Sequence, residues 1–371
     1  MPEVLQNERE SALVRFHSTP SGREKPGRFW KIDIESLAPT AIVGGHVRYS
    51  AAPPRAIVCD LETAKREHPA LVARALGKAA DPAKKFVQLT SAYEGLGVFV
   101  YVPADCHIDE IVITYSTEPG ESAFPHTVVL AERGARVSIV ERTEPGSRAF
   151  VCSVAEIVTE ESADVAYASL QLAPEDASVI ATRAARPGRN AAVRWSTADL
   201  GAALALHDIG IALDEAGASA KIATLFFPGK TQHVDVVSTV DHRVGNATSE
   251  TLVKSAANGA GQGRYLGTIR IAAHAQHSEA SLRDDALLLS KRSHIDSVPA
   301  LEIAANDVKA FHGATVGALD DEQIFYMSSR GVEPQEAERM IALGFFEPVI
   351  ERFPVSLHEE IREALVAKVE S

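Results

Sequence analysis

Cysteine is nearly missing from this chain. Its 371 residues hold three, Cys59, Cys106 and Cys152, far apart, odd in number and without a CxxC pair. A disulfide-stapled fold is excluded, and a structural zinc site or dithiol redox centre is not expected. Long apolar runs are missing too. None reaches the ~18 residues of a membrane span. The opening MPEVLQNERESALVRF also lacks the apolar core of a secretory signal. Reduced thiols and no signal point to the cytoplasm. Basic residues are in deficit, 37 against 50 acidic, for a net charge of −13. Nucleic acid and anionic membrane are therefore poor partners. There is no Walker motif, no Gx(S/C)xG element and no HExxH, so no ATP hydrolysis and no catalytic residue are expected of this chain alone.

What is present is ordinary globular material, 46% apolar and 23% charged, long enough for two or three domains. Residues 1–95 read as a flexible arm followed by a helical segment. In the arm, STPSGREKPGRFWKID, Trp30 either packs the arm onto the body or anchors a partner. A helix is expected over Leu61–Ala80, with Asp60 at its N-cap. Pro69 should kink it or divide it into two short helices, and Pro82 closes it.

From about Val98 the pattern changes to β-branched residues alternating with small or polar ones. A short turn ending in alanine recurs at Ala135, Ala163, Ala191, Ala218, Ala247 and Ala280, at spacings of 28, 28, 27, 29 and 33. Each turn lies between two strand-like runs. The second and fourth residues after each alanine form columns, from Val137/Ile139 through Val193/Trp195 to Leu282/Asp284. Two strands in a ~28-residue unit leave no room for a βαβ crossover. They suit a β-helix whose units stack at roughly 4.8 Å. The expected fold is mainly β, a β-helix of about eight coils over residues 96–317. The long last step is assigned to a corner loop, Asn258–Gly267; its glycines do not make a GxGxxG nucleotide loop.

Few residues in the coils carry chemistry. His274 and His277 are spaced HxxH, which a strand places on opposite faces, so they read as corner residues. His233 and His242 read as surface. Asp284 and Asp285 also point oppositely, giving a solvated turn or a salt bridge with Arg283 or Arg292 rather than an acid/base pair. That lowers the case for a polysaccharide-cleaving β-helix enzyme, which needs clustered acids. Lys254 is either a solvated coil edge or a groove or tunnel residue.

With Asn306 as turn anchor, the last coil continues the columns as Val308, Ala310, His312, Ala314 and Val316, with Lys309, Phe311, Gly313 and Thr315 opposite. His312 then falls in the polar column of Glu141, Ser169, Thr197 and Thr224. It is either a satisfied core histidine or a metal ligand. A final coil also leaves an edge that needs a cap or accepts a strand. Residues 318–371 switch to helical period. Asp320 with Gln323 resembles a capping box, Gly331 is a stop, Pro334 opens the next helix, and Ser356 with Glu359 forms a second box. Phe325, Tyr326, Phe345 and Phe346 are either the core of this small domain or an interface.

The run PALEIAANDVKAFHGATVGALDDEQIFYMSSRGV, with ALLLSKRSHIDSVPALEI, LVKSAANGAGQGRYLGTIRI and GVFVYVP upstream, resembles the SufB/SufD family of iron–sulfur cluster assembly scaffolds, on the SufD side. The resemblance implies a right-handed parallel β-helix with an N-terminal helical segment and a small C-terminal helical domain. It implies a SufB-like partner paired at the β-helix end, through Val308, Ala310, Phe311 and Gly313. It further implies a SufC-like ATPase docked on the helical domain near Phe325, Tyr326, Arg330, Gly331 and Phe345. A transient iron–sulfur cluster would form at the paired end, with His312 at the family's histidine position and no cofactor held stably by this chain alone. Where SufB-type scaffolds carry a cysteine two residues before that histidine, this chain has Ala310. A homodimeric scaffold without SufB is the alternative.

Overall fold

The computed structural model describes residues 42–370 apart from 52 and 94, together with 11, 14–18, 29, 32, 37 and 39. Trp30 lies outside the described residues. The strands in chain order are β1 (His46–Tyr49), β2 (Ile57–Asp60), β3 (Leu96–Val102), β4 (His107–Ser116), β5 (Ser122–Ala123), β6 (Pro125–Ala131), β7 (Arg136–Glu144), β8 (Phe150–Thr159), β9 (Asp164–Gln171) and β10 (Ser178–Arg186). They continue as β11 (Ala192–Asp199), β12 (Leu204–Leu213), β13 (Ser219–Phe226), β14 (His233–His242), β15 (Thr248–Ala257), β16 (Gln262–Ile271), β17 (Glu279–Leu288), β18 (His294–Ile303) and β19 (Lys309–Ala318). From β6 onward, successive long strands alternate between two sheets. One runs β4-β7-β9-β11-β13-β15-β17-β19 and the other β3-β6-β8-β10-β12-β14-β16-β18, all neighbours parallel. This is a β-solenoid of about eight turns, as the repeat implied.

The corners explain why the repeat was visible. Asp105, Gly134, Ser162, Asn190, Gly217, Asn246 and His277 all sit at φ between 54° and 73°, the left-handed region that Gly, Asn, Asp and His enter most cheaply. Each turns the chain while its N–H continues the ladder: Asn190 donates to the Ala216 carbonyl at 3.1 Å and Asn246 to that of Gln276 at 3.0 Å. The next residue points into a corner with room for only a small side chain, so Ala135, Ala163, Ala191, Ala218 and Ala247 are buried one above another. The sixth member is Ser278, not Ala280, because Thr248 pairs with Glu279. The extra residues of the long step lie in the 272–278 corner. Asn258–Gly261 is itself only a tight turn, and the rest of the expected loop is strand β16.

The lumen between the sheets is packed with side chains. Trp195 is fully buried and stacks on Tyr167 at 4.8 Å, with Ile139 and Ile222 in the same column. Aromatics of this size each bury roughly 150–250 Å². The lumen also holds a polar cluster. The Glu141 carboxylate accepts hydrogen bonds from Arg183 (2.5 Å), Tyr167 (2.5 Å) and Thr127 (2.8 Å), and Arg183 also donates to Ser153. Pairing and hydrogen bonds satisfy charges that burial would otherwise make costly.

Helices cover the outer faces. On the sheet containing β3, α1 (Leu61–Glu67) and α2 (Pro69–Ala75) pack Leu61, Ala64, Val72 and Ala75 against Phe99, Val128 and Leu130. Pro69 does divide the helix, but Asp60 makes no side-chain cap bond and α2 stops at Ala75. The reason for the early stop is Glu156. Its buried carboxylate takes the N–H groups of Gly77, Ala79 and Ala80, which a continuing helix would use internally, and shares a bond with His126 at 3.0 Å. The helix α3 (Lys85–Ala92), which the sequence pattern did not announce, packs Phe86 and Leu89 on Phe150, Cys152 and Ile180.

On the other sheet lie α4 (Asp321–Ser329), α5 (Pro334–Ile350) and α6 (Val355–Val369). Asp320 caps α4 through the Glu322 N–H at 2.9 Å, and Gly331 stands at φ 88° beyond its end. Ser356 is not a cap: α6 begins after Pro354, and the Ser356 hydroxyl donates to Glu110 at 2.7 Å. Phe346, Val349, Leu357, Ile361 and Leu365 are buried against Leu170, Leu200, Leu225 and Phe227.

Candidate functional site

Exposed apolar side chains are concentrated in the last coil and the C-terminal helices. Eight of the twelve large hydrophobic side chains exposed among the described residues lie at or beyond residue 298. The last coil contributes Val298, Ile303, Phe311 and Val316, and the helices Phe325, Tyr326, Met340 and Val355. β18 pairs with β16 alone and β19 with β17 alone among the described strands, so each presents ten residues of open edge. Such an edge offers unpaired N–H and C=O groups to another strand.

β19 and the residue before it place the candidate residues along this edge. Val308, Ala310 and Gly313 are half-buried, and Phe311 is 61% exposed. The Phe311 ring lies over Gly313, where a Cβ would meet its Cζ at 3.2 Å. His312 is exposed and pairs in register with Leu282, above Thr251, Ile222 and Trp195. The polar column expected for it continues instead through Thr224, Val253 and Asp284 to Ala314. The anchor of the last coil is Val308, two residues after Asn306, since Glu279 pairs with Lys309, and this moves His312 into the column of Trp195 and Ile222. His312 is therefore an exposed histidine at the open end of that column, not a buried core histidine.

The cysteines lie elsewhere. Cys59 and Cys106 belong to the first strands and their turn, and burial pushes the Cys152 thiol up to about 12. Among the described residues no three His, Cys, Asp or Glu side chains gather as a metal-holding group.

Other candidates move. Lys254 lines neither an open groove nor the lumen. Its side chain points out of the coil, bonds the Asp285 carboxylate at 2.8 Å and lies 4.4 Å from the Phe345 ring centroid of α5. Asp285 also accepts from Arg283 at 2.8 Å and from the Thr315 hydroxyl at 2.6 Å. Burial opposes its charge, but Lys254, Thr315 and Arg283 hold its carboxyl below the usual range. Asp284, on the opposite face, is buried and accepts a hydrogen bond from Ser297. Burial pushes it up to about 7. The adjacent acids are thus not a solvated turn. His242 is not at the surface either: it is fully buried against Ser249 at 2.8 Å, and burial lowers it to about 4. His277 is an exposed corner residue paired with Asp307 at 3.0 Å.

On the helical domain, Phe325, Tyr326, Arg330 and Gly331 are exposed, and α4 buries none of its residues. Phe346 is core, and Phe345 is half-buried between Phe346 and Lys254. The Lys254–Asp285–Thr315 and Asp284–Ser297 contacts went unread in the sequence. The signal that finds the first is the repeat itself, since 254, 285 and 315 are spaced by 31 and 30.

Residues 113–345, more than half of the chain, match the family model for the SufBD core domain of the SUF system of iron–sulfur cluster assembly. The chain belongs to the SufBD family. It is similar to an iron–sulfur cluster assembly SufBD family protein of Mycobacterium leprae, 29% identical over 277 residues, covering 73% of this chain and 32% of the relative. SufBD family proteins of Staphylococcus epidermidis and Staphylococcus aureus are 27% and 28% identical, covering 84% and 77% of this chain and 68% and 63% of theirs. The match thus spans about a third of the mycobacterial relative and about two thirds of the staphylococcal ones. This SufBD family chain carries no described helix long and apolar enough to cross a membrane.

Proposed function

We propose that the chain is the SufD-like subunit of a cytoplasmic SufB–SufC–SufD scaffold on which iron–sulfur clusters are assembled. The observation that carries this reading is the open last coil, with two ten-residue edges that no described strand covers and exposed Phe311 and Val316 beside His312. An edge of this kind binds by strand addition: main-chain hydrogen bonds supply affinity, and side chains such as Phe311 supply register. A SufB-like scaffold is the proposed occupant. Neutral imidazole is a good ligand for iron near neutral pH. With Ala310 beside it and no cysteine after Cys152, the thiolate ligands of a nascent cluster would come from the partner. The exposed Phe325, Tyr326 and Arg330 of the helical domain would receive the SufC-like ATPase, which supplies the ATP hydrolysis this chain does not perform.

The test is reconstitution with a SufB-like scaffold and a SufC-like ATPase. The expected result is one stable complex that forms clusters, with His312→Ala assembling the same complex but forming them poorly. Unchanged cluster formation removes His312 from the mechanism. Size measurement without partners addresses the remaining arrangement, since two copies of the same edge can also pair about a two-fold axis. A homodimer that ignores the SufB-like scaffold would overturn the proposal.

A further inference from the structure

The last strand has few side-chain anchors. Among the described residues β19 makes two side-chain hydrogen bonds to the coil beneath: Lys309 to Glu279, which is exposed, and Thr315 to Asp285, whose carboxylate is 7% exposed. The second bond is one end of a chain of contacts. Thr315 of β19 donates to one oxygen of Asp285 in β17, and the other oxygen accepts from Lys254 in β15 at 2.8 Å. The Lys254 ammonium lies over the ring of Phe345 in α5. Phe345 meets Phe346 edge-on at 5.1 Å, and Phe346 stacks on Phe227 in the fully buried seat of the helical domain. One unbroken path of contacts thus runs from that seat to a residue three positions from His312.

Each link responds to its neighbour. The ring face attracts the ammonium, and the ammonium helps hold Asp285 ionised. An ionised carboxylate is the stronger acceptor for the Thr315 hydroxyl. If α5 shifts, Lys254 loses the ring and its hold on Asp285 loosens, leaving Arg283 as the remaining cation on that oxygen, so the bond to Thr315 weakens. We propose that Lys254, Asp285 and Thr315 are positioning residues, a clasp through which the seating of α5 sets how firmly the β19 edge is held. This rests on the proposed role of β19 as the docking edge only for its purpose; the clasp itself is a property of the single chain.

The experiment is backbone hydrogen exchange across β19 on the full chain, with β11 as internal control. Thr315→Val removes the hydroxyl at nearly constant volume. The expected result is about five-fold faster exchange over Lys309–Ala318, the weight of one lost hydrogen bond, with β11 unchanged. Phe345→Leu should also speed exchange over β19. The double variant should be no faster than Thr315→Val alone, because both changes cut one path. The proposal is overturned if Thr315→Val leaves β19 unaffected, if Phe345→Leu does so, or if the two effects add in full. Titration with the SufB-like scaffold is read separately. Failure to bind it would sink the docking role and leave the exchange result standing.

Discussion

At its N-terminal end the stack is closed by β1 and β2, which run antiparallel to β4 and β3 and interrupt the parallel register in both sheets. Each is only four residues long, which leaves little edge for another chain. At the C-terminal end β18 and β19 are ten residues each and carry no further strand among those described. The lumen differs in step. Ile139, Tyr167 and Trp195 fill the early coils without exposure, whereas the last coil leaves His312 and Val316 of the same inner face open. One end is built to stop strand addition and the other to permit it. A solenoid that exposed both ends alike would polymerise head to tail.

The largest expected effect breaks the comparison from the filled side. Trp195→Ala should cost roughly 3–5 kcal/mol, read as a fall in denaturation midpoint, because the Tyr167 column above and below it cannot collapse. The same truncation at Phe311 should cost almost nothing. The next effect is at the lumen's charge pair. Arg183→Met alone should destabilise by about 3 kcal/mol or more by leaving Glu141 buried and unpaired. Arg183→Met with Glu141→Leu should recover much of that loss in the same unfolding experiment.

A third prediction concerns the coil beneath the open end. Asp284 is raised to about 7 by burial, against about 3.9 unfolded. Between those values the folded chain holds a proton that the unfolded chain has released, so stability falls as pH rises and the contribution is gone above about 7. Asp284→Asn should flatten that loss between about pH 4 and pH 7 in chemical denaturation. His242, lowered to about 4, works oppositely. Its contribution is present above about 6.5 and is lost as pH falls through 4. The smallest stability effect sits at the edge. Phe311→Glu with Val316→Lys should change stability by less than ~0.5 kcal/mol. The same pair should abolish assembly with the SufB-like scaffold, measured by size-exclusion chromatography. Full assembly of that variant would show that β19 is not the docking strand.

Reading the sequence went furthest where the chemistry repeats. A left-handed corner residue followed by a small one recurs because each coil must turn in the same place, and Asn190–Ala191 or Gly217–Ala218 shows it plainly. The pattern failed where that rule took an uncommon form. His277 is the left-handed residue of the seventh corner and Ser278 its small follower, so HSEA drew that register two residues too far; in the last coil Asn306 stands two residues before the true anchor, Val308, and this put His312 in the wrong column. Helix α3 was missed because Gln88 and Thr90 sit among its buried residues, which blurs a helical stripe. Lys254 and Asp285 looked solvated because charge alone does not reveal that α5 covers their face.

The linear sequence by itself determined that this chain coils into a stack, about where each turn falls, and that no thiol follows Cys152. Those are local facts, set by backbone conformation at the corners and by two-residue alternation along the strands. Only the tertiary structure decided which residues share a column, which end stays open, and that Lys254 reaches from Phe345 to Asp285. Those depend on contacts one coil apart or on packing against a distant helix, where a shift of two residues in one corner changes every neighbour beyond it.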